Sequence, residues 1–104
     1  MAIYQLFEWE IAPGRQQDVL SMEGPFLAAV QRIGGKPVGG FTTAVGDINR
    51  LLALIAYDDF TQYGKAIQTA QQDPDLQKLG QAVSGLINEV NVSILQPTAG
   101  SGLK

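Results

Sequence analysis

A chain of 104 residues with 45% hydrophobic and 16% charged residues has the size and composition of one folded domain, which excludes a disordered segment. The net charge of -3 and the scattered lysines and arginines exclude a nucleic-acid groove. The absence of cysteine and histidine excludes thiolate nucleophiles, Ser-His-Asp triads, histidine-ligated haem and ordinary zinc sites.

The cofactor and the compartment follow from further patterns that the sequence lacks. The chain has no histidine, and no glycine-rich phosphate-binding loop opens a helix after a strand, so we expect no haem, flavin or nicotinamide cofactor. No apolar run reaches membrane-spanning length and no signal-peptide pattern is present. We therefore expect a cytoplasmic protein that has no membrane partner.

The first elements are a strand and an interrupted helix. Residues Ile3–Ile11 alternate as a strand, with Ile3, Phe7, Trp9 and Ile11 on one face and Tyr4, Leu6, Glu8 and Glu10 on the other. A helix follows Pro13 and Gly14, and its core stripe is spaced three, four, four and three: Val19, Met22, Phe26, Val30 and Ile33. Pro25 cannot donate to the carbonyl of Ser21, which predicts a kink or a short break.

A hairpin comes next in the chain. Gly34 and Gly35 end the helix, and Lys36–Val45 is predicted as a strand whose paired glycines, Gly39 and Gly40, indicate a bulge or a close backbone approach. The turn at 46–49 leads into Leu51–Tyr57, a run of seven residues without charge. Both faces of this strand are apolar, so we expect both to be buried.

The second half repeats the pattern of helix and strand. Asp59 and Gln62 resemble a capping box, and a helical stripe runs to about Ile87, with a restart at Asp73 and Pro74. The last strand is predicted at Glu89–Gln96. Residues 1–97 then form a single domain, followed by a loose tail at 98–104.

This order of elements predicts an α+β domain of the ferredoxin-like βαββαβ type, with a four-stranded antiparallel sheet and both helices on one face. Two helices cover only one face of the Leu51 strand. We therefore expect a homodimer formed through the sheet face away from the helices, although the sequence does not say which alternate residues of the strand point that way.

An ordered set of short motifs across nearly the whole chain resembles the NIPSNAP family. The set comprises Ile3-Tyr4-Gln5-Leu6, Pro13-Gly14, Gly34-Gly35-Lys36, Val38-Gly39, Gly46-Asp47 with Asn49, Ala56-Tyr57, Asp73-Pro74, Ile94-Leu95 and Pro97-Thr98. The resemblance implies a dimeric α+β barrel with a pocket between sheet and helices. Relatives of that group include cofactor-independent monooxygenases, haem-handling enzymes and proteins with no known reaction, so the resemblance alone names no substrate.

Four positions depart from the family pattern, while Tyr57 is kept. Phe7 stands where these domains often carry Arg, Ala53 where they often carry His, Ile55 where they often carry Trp, and Leu76 where an aromatic residue is common. Chemistry that those groups perform in relatives cannot be transferred to this chain, and we assign no catalytic residue.

Two functions remain. The chain either binds a small apolar or aromatic molecule in a cleft, with any reaction independent of a cofactor and monooxygenase-like, or is a non-catalytic homodimeric interaction or stress-related module. The candidate ligand-binding residues are Tyr4, Phe7, Trp9, Tyr57, Tyr63 and Asn91, with Asn88, Arg32 and Arg50 as further polar candidates. We expect no metal site, because Glu8 and Glu10, the tightest pair of acids in a strand, are explained as solvated edge residues.

Overall fold

Residues 2–103 fold into four strands and four helices. The computed structural model describes residues 2–103. Met1, the first residue of the predicted domain, and Lys104, the last residue of the predicted tail, lie outside the described residues. In chain order the elements are β1 (Ile3–Ile11), α1 (Gln16–Leu20), α2 (Glu23–Arg32), β2 (Lys36–Thr42), β3 (Arg50–Tyr57), α3 (Phe60–Gln71), α4 (Pro74–Ser84) and β4 (Ile87–Leu95). The sheet is antiparallel in the order β2-β3-β1-β4. This topology confirms the predicted ferredoxin-like α+β fold.

Each predicted helix is divided in two close to its proline. The first divides at Ser21 and Met22, so that Pro25 falls in the first turn of α2, where its missing N–H leaves no helical bond unmade. The second divides before Pro74, and the Asp73 carboxylate accepts the N–H groups of Asp75 at 2.9 Å and Leu76 at 3.1 Å. Both breaks follow from the chemistry of proline and of helix ends.

An ion pair joins the end of α2 to the beginning of α4. The Arg32 guanidinium donates to both carboxylate oxygens of Asp73, at 2.9 and 2.7 Å. The Asp73 side chain is only 10% exposed, and the bond from Arg32 lowers the pKa of this carboxyl. This charge-assisted contact, made by one guanidinium nitrogen to both carboxylate oxygens, links the ends of the two helices.

Two strand boundaries differ from the sequence prediction by more than one residue. β2 ends at Thr42 rather than at Val45, because the chain leaves the sheet before a loop in which Val45 is 94% exposed and Gly46 has a φ of 120°. β4 begins at Ile87, which pairs with Ile11, rather than at Glu89. The bulge expected near the paired glycines is confirmed, since the register of β2 shifts between Pro37 and Gly39.

The two faces of the sheet have different surroundings. On β3, Leu51, Ala53, Ile55 and Tyr57 are buried under the helices; we call this the inner face. The alternate residues Leu52, Leu54 and Ala56 are only half-buried and belong to what we call the outer face. The structure thus identifies which alternate residues point away from the helices, and this face is incompletely covered in the single chain.

The core beneath the helices consists of two clusters. The first contains Ile3, Val30, Ile55, Tyr57 and Ala66. The second contains Ile11, Val19 and Leu51. None of the helices within residues 2–103 is long and apolar enough to cross a membrane.

Candidate ligand-binding site

A cavity of about 280 Å³ lies between the inner face of the sheet and the helices. Its strand side is formed by Phe7, Trp9, Leu51, Ala53, Val90 and Val92. Its helix side is formed by Val19, Met22, Glu23, Phe26, Leu76, Leu79, Gly80 and Val83. Members of the second core cluster line the cavity together with residues that pack against the first cluster. The cavity therefore lies where the two clusters meet.

Three aromatic rings form one wall of the cavity. Phe7 and Trp9 are two residues apart on β1 and therefore share the inner face, where their rings stack with centroids 5.2 Å apart and planes 5° apart. Phe26 from α2 meets both rings edge-on, at 5.4 Å in each case. Stacked and edge-to-face contacts are the favoured arrangements of aromatic quadrupoles, so these rings hold one another in place.

The cavity is open to solvent along β4. This strand is at the edge of the sheet, and its inner-face residues Val90 and Val92 are 45% and 50% exposed. Strand pairing places Val90 beside Trp9 and Val92 beside Phe7. A ligand could therefore enter along this edge and reach the aromatic wall directly.

Glu23 is the one charged side chain in the lining among the described residues. It is the first residue of α2 and precedes Phe26 by three, so both lie on the same side of the helix. The carboxylate lies against Gly40 of β2: a Cβ added at that glycine would be 3.1 Å from the Glu23 Cδ and closer still to Oε2. Gly40 therefore makes room for an acidic group beside an otherwise apolar cavity.

The Glu23 carboxylate has no protein partner within residues 2–103. The ion pairs of this part of the chain join Arg15, Arg32, Lys36 and Arg50 to aspartates. No hydrogen bond between described residues reaches the Glu23 side chain either. Its hydrogen-bonding capacity is free for water or for a ligand.

Of the residues predicted for the site, the structure places Phe7 and Trp9 in the lining. Tyr57 lies in the first core cluster, where its hydroxyl donates to Gln5 Oε1 at 3.0 Å and Tyr63 meets it edge-on at 5.2 Å. Burial, and then the neighbouring Tyr63, raise the pKa of Tyr57 to about 12. Tyr57 and Tyr63 thus form a packed unit beside the cavity rather than part of its lining.

The remaining predicted residues lie elsewhere. Tyr4 is buried, and by strand alternation it belongs to the outer face, opposite Ala56. Asn91 is exposed and pairs with Glu8, again on the outer face. Of the further polar candidates, Asn88 is exposed, while Arg32 and Arg50 form ion pairs with aspartates away from the lining. Within residues 2–103 no cluster of three or more metal-ligating side chains occurs.

Sequence reasoning assigned most of the lining to the core and missed Glu23. One signal was available: Glu23 stands three residues before Phe26 and seven before Val30, which puts an acid on the sheet-facing side of a helix. Of the four positions predicted to depart from the family pattern, Phe7, Ala53 and Leu76 line the cavity, whereas Ile55 lies in the first core cluster.

Known structures share this architecture over almost the whole chain. A NIPSNAP family protein from Agrobacterium tumefaciens is similar with a TM-score of 0.88 and 23% identity, covering 100% of both chains. A NIPSNAP domain protein from Burkholderia xenovorans has a TM-score of 0.83 and 18% identity, covering 95% of this chain and 97% of that one. A Nitrosomonas europaea protein, provisionally described as an antibiotic biosynthesis monooxygenase, has a TM-score of 0.74 and 10% identity, covering 97% and 94%. These likenesses show the fold.

The sequence itself identifies the family. No protein with a curated description matches it. The NIPSNAP family model, in contrast, matches residues 4–102, which include all the strands and helices described above apart from Ile3, the first residue of β1. The chain therefore belongs to the NIPSNAP family.

Proposed function

We propose that the protein binds a small apolar or aromatic molecule in the cavity between the sheet and the helices. The observation that carries this proposal is the cavity itself, which combines a nearly continuous apolar lining with a fixed aromatic wall. Its volume of about 280 Å³ is just below the roughly 300–1,000 Å³ of drug-sized ligand sites. A ligand with a compact hydrocarbon body suits these dimensions.

Any reaction in this cavity is proposed to be cofactor-independent and monooxygenase-like. Support comes from the fold that the chain shares with proteins provisionally described as antibiotic biosynthesis monooxygenases, from Nitrosomonas europaea and Bacteroides thetaiotaomicron. That support is at the level of the fold, so the binding of a ligand is the part of the proposal to test first.

Trp9 provides a direct readout of binding. It is the only tryptophan of the chain and it lines the cavity, so its fluorescence responds to a molecule placed there. We expect the neutral, non-fluorescent probe 1-adamantanemethanol to shift and saturate this emission.

A pair of glycine substitutions locates the binding site. Gly80 lies in the lining on α4, and a Cβ built there meets no atom within 4 Å, so Gly80→Leu projects into the cavity without a clash at the backbone. Gly64→Leu makes the same change on α3, away from the lining, and is the matched control. We expect Gly80→Leu to weaken probe binding about tenfold or more and the control to bind like wild type. Equal binding by the two variants would refute the assignment of the cavity.

We also propose that the protein forms a homodimer through the outer face, and a specific observation favours this second role. The outer face presents half-buried Leu6, Leu52 and Leu54, together with Phe41 at 55% and Leu95 at 41% exposure. Apolar residues grouped in this way on one sheet face are typical of an interaction surface, and a two-fold contact needs only one self-complementary patch. If 1-adamantanemethanol fails to bind while the dimer persists, the non-catalytic interaction module is the better description of the protein.

A further inference from the structure

We infer that Glu23 determines which molecules the cavity accepts: apolar molecules that carry one hydrogen-bond donor, an amine or a hydroxyl, and not apolar carboxylates. This inference rests on the proposed ligand-binding function and specifies its ligand class. It follows from the position of one carboxylate, and it concerns recognition rather than catalysis.

The chemical environment of Glu23 gives the first argument. Glu23 is half-buried beside apolar surface, so its carboxylate loses part of its hydration, and a hydrogen bond or a counter-charge would offset that loss. No described residue supplies a hydrogen bond or a counter-charge to Glu23, and the other lining residues are apolar. The missing partner is best supplied by the molecule that fills the cavity.

Geometry gives the second argument. The carboxylate is confined between the first turn of α2 and Gly40, where a side chain on residue 40 would displace it. Phe26 follows one turn later on the same helix side and is in contact with both Phe7 and Trp9. Because Glu23 and the three rings line the same cavity, a ligand whose body packs on the aromatic wall can place a polar group beside Glu23.

Charge gives the third argument and sets the order of preference. An ionised carboxylate attracts an ammonium, accepts a hydrogen bond from a hydroxyl and repels another carboxylate. Aromatic rings also favour a nearby cation, and the net charge of the chain is -3. We therefore expect amine to bind more tightly than hydroxyl, and hydroxyl more tightly than carboxylate.

Glu23 also has a simpler role in helix stability, which the experiment must distinguish from ligand recognition. An acid in the first turn of a helix interacts favourably with the helix dipole, and α2 carries Glu23 there. Loss of that interaction would lower stability in the same way whichever molecule is present. It would leave the order in which the cavity binds different ligands unchanged.

The experiment compares three probes that share one apolar body: 1-adamantanemethylamine, 1-adamantanemethanol and 1-adamantanecarboxylate. Binding to wild type, Glu23→Gln and the charge-matched control Glu89→Gln is followed by Trp9 fluorescence. Glu89 is exposed on β4 opposite Glu10, outside the cavity lining. In Glu23→Gln we expect the amine to bind about tenfold more weakly and the carboxylate more tightly than in wild type. The Glu89→Gln control should retain the wild-type order.

The outcomes separate this inference from the proposed function. If no probe binds wild type, the proposed ligand-binding function fails, and the inference fails with it. If all three probes bind but Glu23→Gln keeps their order, only the inference about Glu23 is overturned. Should Glu23→Gln not fold by circular dichroism, Gly40→Ala is the second variant, because it displaces the carboxylate without removing it. An unchanged order in folded Gly40→Ala would overturn the inference equally.

Discussion

Gly35 is the position where the addition of one methyl group should affect the fold most directly. A Cβ built on Gly35 lies 2.6 Å from Val30 Cγ1 and 2.9 Å from Ile55 Cγ2, whereas ordinary contacts begin at 3.4 Å. Val30 is 4% exposed and Ile55 is 0% exposed, so neither has free space to move into. Gly35 is not among the glycines with positive φ, and the penalty of Gly35→Ala is therefore one of packing rather than of backbone strain.

We expect Gly35→Ala to lower the free energy of unfolding by about 2 kcal/mol, the middle of the range for overpacked cores. That loss corresponds to a fall in Tm of roughly 8–16 °C for a domain of this size. Thermal unfolding followed by circular dichroism measures it, at one fixed protein concentration because any dimer makes Tm depend on concentration.

The matched control is the same substitution in the middle of α3. Gly64→Ala places a Cβ where no atom lies within 4 Å, and it replaces the poorest helix former after proline by the best. We expect a gain of about 1 kcal/mol. If Gly35→Ala melts at or above the wild-type temperature, or Gly64→Ala melts below it, the reasoning from these contacts is refuted.

Two further predictions concern the outer face and the buried tyrosine. Leu54→Asp should give a folded monomer by sedimentation velocity, because Leu54 lies on the outer face. Ile55→Asp should abolish folding, because Ile55 is 0% exposed. A wild-type protein that sediments as a monomer at micromolar concentration would contradict the dimer. The raised pKa of Tyr57, about 12 against an unfolded value of about 10, means that its contribution to stability is complete below pH 10 and is lost as the pH rises towards 12. Urea unfolding at about pH 9 and about pH 11 should show a smaller loss for Tyr57→Phe than for wild type, and equal losses would count against this account.

The order and type of the elements could be predicted because their signals are local. Three such signals act within a few residues: the period of the Val19 to Ile33 stripe, the two prolines close to helix breaks and the alternation of β1. The end of β2 could not be predicted, because valine is a typical strand residue and Val45 nevertheless lies exposed in a loop. The orientation of β3 was also beyond sequence reasoning, since both sets of alternate residues are apolar and only the position of the helices distinguishes them.

The site was less predictable than the fold, for a related reason. Phe7, Trp9 and Tyr57 are all aromatic or apolar residues of the inner face, and the sequence offers no sign of which lie under closely packed helix and which face a gap. That depends on how α2 and α4 approach each other, which the distant pair Arg32 and Asp73 helps to set. Glu23 could have been found locally, because an acid on a sheet-facing helix position conflicts with its surroundings.

The division of the core into two clusters also affects how such a protein can change over evolution. Residues such as Ile3, Ile55 and Ile11 maintain the fold, whereas Met22, Leu76 and Leu79 line the cavity and belong to neither cluster. Exchanges among the second group alter the size and shape of the binding space while the packing that stabilises the sheet is left in place. One scaffold can in this way acquire new ligands through a few substitutions on α4, without first becoming unstable.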